Sequence, residues 1–415
     1  MLPEPSNHGV DVAIVGAGAA GLTTAIFAAH RNPNRSIVIL EGAARPGAKI
    51  LLAGGGRCNV TNAVVTPDDF CGGSRRVIRR VLDAFPVADT TAFFREIGVT
   101  LHEEERGKLF PDTNRARTVL DALLREAHRL GVRILTGRRV RNIERREDHF
   151  VLTCSPDALR AARRVVLATG GLSLPKTGSD GAGYRFAQQL GHSLVPTTPA
   201  LVPLVLDGGF HTTLSGISQE AEVTVHVEGR RPVRLRGSLL WTHFGVSGPV
   251  VLDASRFWHR ARIEGLRVTL TANLLPGHDF ASAERRLMSL ASSQPKTPLD
   301  KALATILPAR VAATVPEPLG IAGRTAMAHL PREDRRRLVG ALLAWPLPVR
   351  DSRGYAYAEV TAGGIPLDEI DPKTLASRRC PGLYLVGEIL DVDGRIGGFN
   401  LQWAWSSGFV AGSAV

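Results

Sequence analysis

No apolar run in this sequence reaches the roughly 18 to 20 residues that a membrane-crossing helix needs. The opening MLPEPSNHG lacks the charged and apolar regions of a secretory signal, so a cytoplasmic protein with no membrane partner is expected. Cysteine is scarce and scattered: Cys58, Cys71, Cys154 and Cys380 show no CxxC spacing, which indicates neither a disulfide framework nor a zinc site. Aromatic residues make up only 6% of the chain, and no stacking platform for single-stranded bases stands out. Internal repeats, low-complexity tracts and a second Gly-rich dinucleotide fingerprint are also missing, which argues against a separate nicotinamide domain. Acidic residues are too few to balance the basic ones: 39 Asp and Glu face 51 Lys and Arg, leaving a net charge of +12. Such an excess brings no benefit to the fold and attracts polyanions, RNA being the first candidate. The arginines cluster at Arg75, Arg76, Arg79 and Arg80, at Arg138 to Arg146, at Arg230 to Arg236, and at Arg332 to Arg337; the plainer reading is a solvated surface.

What is present is clearest at residues 11–41, DVAIVGAGAAGLTTAIFAAHRNPNRSIVILE. The run Val12 to Val15 suits a buried parallel strand, and Gly16, Gly18 and Gly21 fall where a tight turn, a pyrophosphate and helix packing each exclude a side chain. Ala19 and Ala20 open the following helix, whose unpaired N–H groups favour an anion. Glu41, twenty residues past Gly21, can accept hydrogen bonds from a ribose hydroxyl. The unit calls for a bound dinucleotide, FAD or NAD.

The rest continues as α/β. GAARPGAKILLAGGGRCNVTN is expected to be an ordered loop, VIRRVLDAF and TVLDALLREAHRLG are helical, and RRVVLATGG is another short strand ending at Thr169 and Gly170. Residues 191–357 change character. Alternating segments such as AEVTVHVEG and RPVRLRGSLL suit antiparallel strands, and a helical subdomain is expected at about 275–345. The end of the chain returns to strand, Gly-rich loop and helix. We therefore expect a discontinuous Rossmann-like domain, 1–190 with 358–415, interrupted by a β-rich and helical substrate domain at 191–357. Near the end, Gly387 and Glu388 close a strand, and Gly398, Phe399 and Asn400 open a helix whose N–H groups could face an anionic ring edge. Asp391 and Asp393 read as turn caps, with no metal expected.

Five segments, KILLAGGGRCNVTN, LATGGLSLPKTGSDGAGYRFAQQLGHSLV, LLWTHFGVSGPVVLDAS, EVTAGGI and GEILDVDGRIGGFNLQWAWSSGFVAG, resemble the BaiN/YhiN-type family of FAD-dependent oxidoreductases over nearly the whole chain. The resemblance implies FAD held by Gly16, Gly18, Gly21, Glu41, Gly56, Arg57, Gly170, Glu388 and Gly398 to Asn400, with Lys49 and Asn59 to Asn62 lining the flavin or its substrate. Val140 matches a position whose backbone meets the adenine in related flavoproteins. The family often has Ser at the position of Ala53, and Thr and Asp at those of Asp180 and Ala182, so hydrogen bonds made there are not carried over.

The resemblance further implies NAD(P)H-dependent reduction of a conjugated C=C bond. The first reading is uridine to dihydrouridine in 23S rRNA; a small-molecule substrate such as a steroid-acid enone or an amine is the alternative, and a non-catalytic, FAD-containing RNA-binding protein is the third. Hydride delivery to an enone needs an acid for the neighbouring carbon. Cys58 is the first candidate, because a thiol of pKa about 8.5 stays protonated at neutral pH, and His243 is the second. Each also has a plain structural reading, as a small packing residue and a core histidine.

Overall fold

Val12–Val15 become the middle of a parallel sheet because an unbroken apolar run can be buried on both faces of a strand. The computed structural model describes residues 9–156 and 158–415. They divide into two compact units, one of residues up to Thr197 together with Glu359–Val415, the other of Thr198–Ala358. The breaks therefore fall after Thr197 and Ala358, where the sequence had suggested 190 and 357.

In the first unit, strand β1 (Val10–Val15) leads through the Gly-rich turn into helix α1 (Ala19–Arg31) and then β2 (Ile37–Leu40). Four further strands complete the sheet from this part of the chain: β3 (Arg133–Leu135), β4 (Arg139–Arg145), β5 (Phe150–Ser155) and β6 (Ala158–Leu167). Their order is β3-β2-β1-β6-β5-β4, parallel across β3, β2, β1 and β6 and antiparallel beyond. The late segment Leu383–Leu385 returns, as expected, to pair in parallel with the end of β6. Its chain then continues into the C-terminal helix Phe399–Ala414, which is buried on nearly all sides. That helix packs on α1 through Gly408 and Gly412. A Cβ on Gly408 would stand 2.8 Å from the Ala20 carbonyl oxygen, and one on Gly412 2.6 Å from that of Thr24, so only glycine permits this approach.

The segment expected to be an ordered loop contains a short helix, α2 (Ala48–Leu52), followed by a 3₁₀ turn at Ala53–Gly56. Ile50 anchors it in the core, and Gly54 and Gly55 take left-handed conformations that end it.

The second unit holds a seven-stranded antiparallel sheet, in the order Trp345–Leu347, Val268–Asn273, Ser218–Val227, Val233–Thr242, Gly245–Ser247, Leu204–Leu206 and Val349–Ser352. Ala221, Val223 and Val225 alternate inward and share a core with Leu239, Trp241 and Trp258. Helix Arg332–Leu343 stops short of the apolar pattern's end because Trp345 precedes Pro346, which disfavours helical backbone there, and Trp345 starts a strand instead. Among the described residues no helix is long and apolar enough to cross a membrane.

Candidate functional site

The Gly-rich turn shows which glycines serve the fold and which face open space. A Cβ on Gly16 would lie 2.5 Å from the Ala168 carbonyl oxygen and one on Gly21 2.0 Å from that of Gly16, whereas a Cβ on Gly18 would meet nothing within 4 Å among the described residues. Gly18 caps α1 without a side-chain bond, and the N–H groups of Ala19 and Ala20 have no acceptor among the described residues. An uncapped helix N-terminus beside an open glycine is the arrangement that receives a phosphate. Glu41 closes the turn: its Oε2 accepts the Ala17 N–H at 2.8 Å and its Oε1 that of Ala43 at 2.8 Å. Each oxygen retains a second lone pair.

Around this turn, Thr169 and Gly170 follow β6, and Gly170 is left-handed, with a would-be Cβ 2.6 Å from Ser179 Oγ. The Arg138 N–H bonds the Glu41 carbonyl at 2.8 Å and so ties the approach to β4 onto the end of β2. Val140 is buried in β4 and lines a cavity of about 250 Å³ with Arg139, Arg141, Asp180, Gly181, Ala182 and Arg185.

A polar cluster surrounds Glu388. Lys49 Nζ donates to Ser173 Oγ at 2.6 Å and forms an ion pair with Glu388, while Ser173 Oγ and the Thr361 N–H donate to Glu388 Oε1 at 2.7 and 2.9 Å. Thr361 Oγ1 in turn accepts the N–H groups of Leu172 and Ser173 at 2.8 and 3.0 Å. Glu388, expected among the residues that hold FAD, is thus already engaged by three donors. Ser173 and Thr361 were not singled out from the sequence; both lie in quoted motifs, yet no spacing links them to Glu388. Gly387 is left-handed against Ala20, and its carbonyl accepts from Trp403 Nε1 at 3.1 Å.

The Gly54–Gly56 turn also faces open space at its second and third glycines: among the described residues a Cβ on Gly55 meets nothing within 4 Å and one on Gly56 only the Leu51 carbonyl at 3.9 Å. The Arg57 guanidinium turns to Glu104 at 2.7 Å and lies 4.0 Å above the Phe110 ring. Cys58 is wholly buried, and burial pushes its thiol up to about 12; its side chain packs among core residues. His243 belongs to the second unit, exposed in the turn between Val233–Thr242 and Gly245–Ser247, with its ring edge-on to Phe244 at 5.1 Å.

At the start of the C-terminal helix, Gly398 is left-handed and a Cβ there would sit 2.6 Å from Thr61 backbone. The Phe399 side chain is buried against Phe70, which leaves its N–H, with that of Asn400, unpaired among the described residues. The Asn400 amide is held by the backbone of Gly394, accepting at 2.8 Å and donating at 2.9 Å, so only its N–H faces outward. Asn59 Oδ1, beside Gly398, is buried with no donor among the described residues. Two uncapped helix N-termini, open glycines and an orphaned acceptor fit a dinucleotide with a polar ring.

The chain matches the HI0933-like protein Rossmann domain over residues 10–414. It is 33% identical over 397 residues to a protein of Escherichia coli (strain K12) named ribosomal RNA dihydrouridine synthase, covering 96% of both chains. It is 32% identical over 404 residues to the 3-dehydro-bile acid delta(4,6)-reductase of Clostridium scindens, covering 97% of this chain and 98% of that one. A solved structure of quinol-fumarate reductase with menaquinol molecules shares the fold, with a TM-score of 0.52 at 19% identity over 97% of this chain and 70% of the other. A family match and relatives that both run nearly end to end lead to one assignment: the chain belongs to the HI0933-like family of Rossmann-type, FAD-dependent oxidoreductases.

Proposed function

We propose that this protein holds FAD in its first unit and, with NAD(P)H as electron donor, reduces uridine to dihydrouridine in 23S ribosomal RNA. The observation that carries this reading is the end-to-end likeness to the Escherichia coli enzyme, joined to a net charge of +12 that suits a polyanionic substrate. The α1 N-terminus would take the pyrophosphate, Glu41 a ribose hydroxyl, the backbone at Val140 the adenine, and the first turn of the C-terminal helix the anionic edge of the ring. Lys49, Ser173 and Thr361 hold the Glu388 carboxylate in place.

When bound and reduced, the flavin supplies a hydride for C6 of uracil, leaving a proton to be delivered to C5. Of the two acids named from the sequence, only His243 keeps an exposed ring. Replacing it by Ala should leave flavin content unchanged and lower turnover by on the order of 10² if it donates that proton; unchanged turnover removes it from the mechanism.

The decisive experiment is mass spectrometry of dihydrouridine in large-subunit rRNA from matched cells with and without the gene. Loss on deletion, restored by the active gene, is expected. An unchanged level overturns the uridine reading. The likeness to the Clostridium scindens reductase favours, in that event, a small conjugated enone, measured as NAD(P)H-dependent turnover of a steroid-acid enone by the FAD-loaded protein.

A further inference from the structure

The four arginine clusters differ in what their guanidinium groups already touch. In the second unit, Arg335 lies 3.7 Å from Glu284, Arg337 3.6 Å from Asp334 and Arg230 2.5 Å from Glu264, while Arg336 covers the Phe280 ring. Near β4, Arg139 pairs with Asp180, Arg146 with Glu144 at 2.5 Å, and Arg145 bonds the His149 carbonyl at 2.9 Å. Helix α3 (Arg75–Ala84) is less engaged, as are Arg231, Arg234 and Arg236 beside Arg230, and it gathers its arginines on one helix face. Arg75, Arg76, Arg79 and Arg80 are all exposed, and only Arg75 has an acidic partner, Asp68 at 2.9 Å, in a pair whose side chains are 70% and 74% exposed. Such a pair is screened by solvent and easily exchanged for another anion. Arg76, Arg79 and Arg80 have no carboxylate partner among the described residues, and Asp83 is the only acid on the helix itself.

The helix presents these charges from a fixed position. Ile78, Val81 and Leu82 are buried, and at about 100° per residue they occupy the arc opposite the arginines. Arg76 and Arg80, four residues apart, stand about 6 Å from each other along the axis. Just before the helix, Phe70–Gly72 pairs with Val392–Gly394, the Gly73 N–H bonds the Asp391 carbonyl at 2.8 Å, and Arg395 binds Asp69 at 2.7 Å. The basic face is therefore built onto the same block of chain that carries the Gly397–Gly398 turn and the start of the C-terminal helix.

We infer that the arginine row of α3, Arg76, Arg79 and Arg80 with Arg75, is a phosphodiester-binding face for the RNA substrate. Charge complementarity selects the occupant: a row of unpaired guanidinium groups on a strongly basic protein matches an RNA backbone, which Arg can grip through two parallel N–H donors. The inference rests on the rRNA reading and goes further by naming the surface that holds the substrate.

The test uses the full FAD-loaded chain and an unmodified large-subunit rRNA transcript. For R76Q/R79Q/R80Q, affinity at about 100 mM salt should fall on the order of tenfold, and the slope of log K against log salt should become shallower by roughly 2 to 3, with flavin content unchanged. R76K/R79K/R80K should retain most of the binding, which separates lost charge from a damaged helix. Equal affinity and slope for wild type and the Gln variant overturn the inference while leaving the rRNA reading intact. Wild type that fails to bind the transcript at 50 mM salt overturns both. Binding to anionic vesicles that the Gln variant loses, with RNA binding unchanged, assigns the face to a membrane surface and overturns the inference as well.

Discussion

At the scale of single residues, the glycines of the first turn divide by what a side chain would strike. Gly21→Ala would press a Cβ against the Gly16 carbonyl, 2.0 Å away, and should destabilise the protein by about 1–3 kcal/mol or more. Gly18→Ala meets no atom of the described residues within 4 Å, so in the flavin-free form it should melt like wild type, yet it should retain less flavin. Thermal melts and flavin absorbance of the two purified variants distinguish these outcomes, and equal flavin content in Gly18→Ala and wild type would remove that residue from the pyrophosphate cradle. Cys58 gives a second prediction. Its neutral thiol is favoured in the folded protein, with the ordinary value of 9.0 pushed up to about 12 by burial. Its stabilising effect is therefore complete below pH 9 and lost as pH rises toward 12, a slope that Cys58→Ala should flatten in alkaline denaturation curves. In the native protein at pH 8 iodoacetamide should spare Cys58 and label it only after unfolding; rapid native labelling would contradict the burial. That Cys58 follows Arg57 in a glycine-rich turn was legible in the sequence, which left open whether its side chain packs or faces a substrate; the fold buries it.

Among elements, α1 is held from two sides. The C-terminal helix meets it through Gly408 and Gly412, and the helix Ala116–Arg129 reaches its last turn through Glu126, which bonds His30 at 2.8 Å and Arg129 at 2.7 Å. The Arg129 hydrogen bond first, then that of His30, outweigh the opposing effect of burial and hold the Glu126 carboxyl down at about 2. A depressed carboxylate stabilises the fold above its ordinary pKa, and this contribution disappears as pH falls from about 4.5 to about 2. Glu126→Gln should shallow the acid limb of the stability curve in that window; an unchanged limb would show that the pair contributes nothing measurable. The strand-turn-helix order of β1 and α1 could be read directly, because burial periodicity and glycine spacing act over a few residues. The Lys49–Glu388 pair could not, since its partners are 339 positions apart.

For the whole molecule, a ligand that binds only the folded state adds RT ln(1 + [L]/Kd) to stability. FAD at about 100 times its Kd should therefore raise unfolding free energy by roughly 2.7 kcal/mol, read as a higher melting temperature. No shift on saturating FAD would sink the cofactor assignment for this chain. Residues 11–41 specify their own strand, turn and helix, because hydrophobic period, glycine placement and the acidic end are local properties, and the motifs quoted above carry the family with them. Net charge likewise needs no structure, and it points to a polyanion without saying where one would sit. Folding alone decides that Glu388 is met by Lys49, Ser173 and Thr361, and that the Asn400 amide is held by Gly394 while Asn59 Oδ1 finds no donor among the described residues. It also decides that Arg76, Arg79 and Arg80 of α3 lack, among the described residues, the carboxylates that partner several of the others. Each of these depends on which distant side chains come within about 3 Å, the range over which hydrogen bonds and ion pairs act, and no one-dimensional pattern encodes that distance.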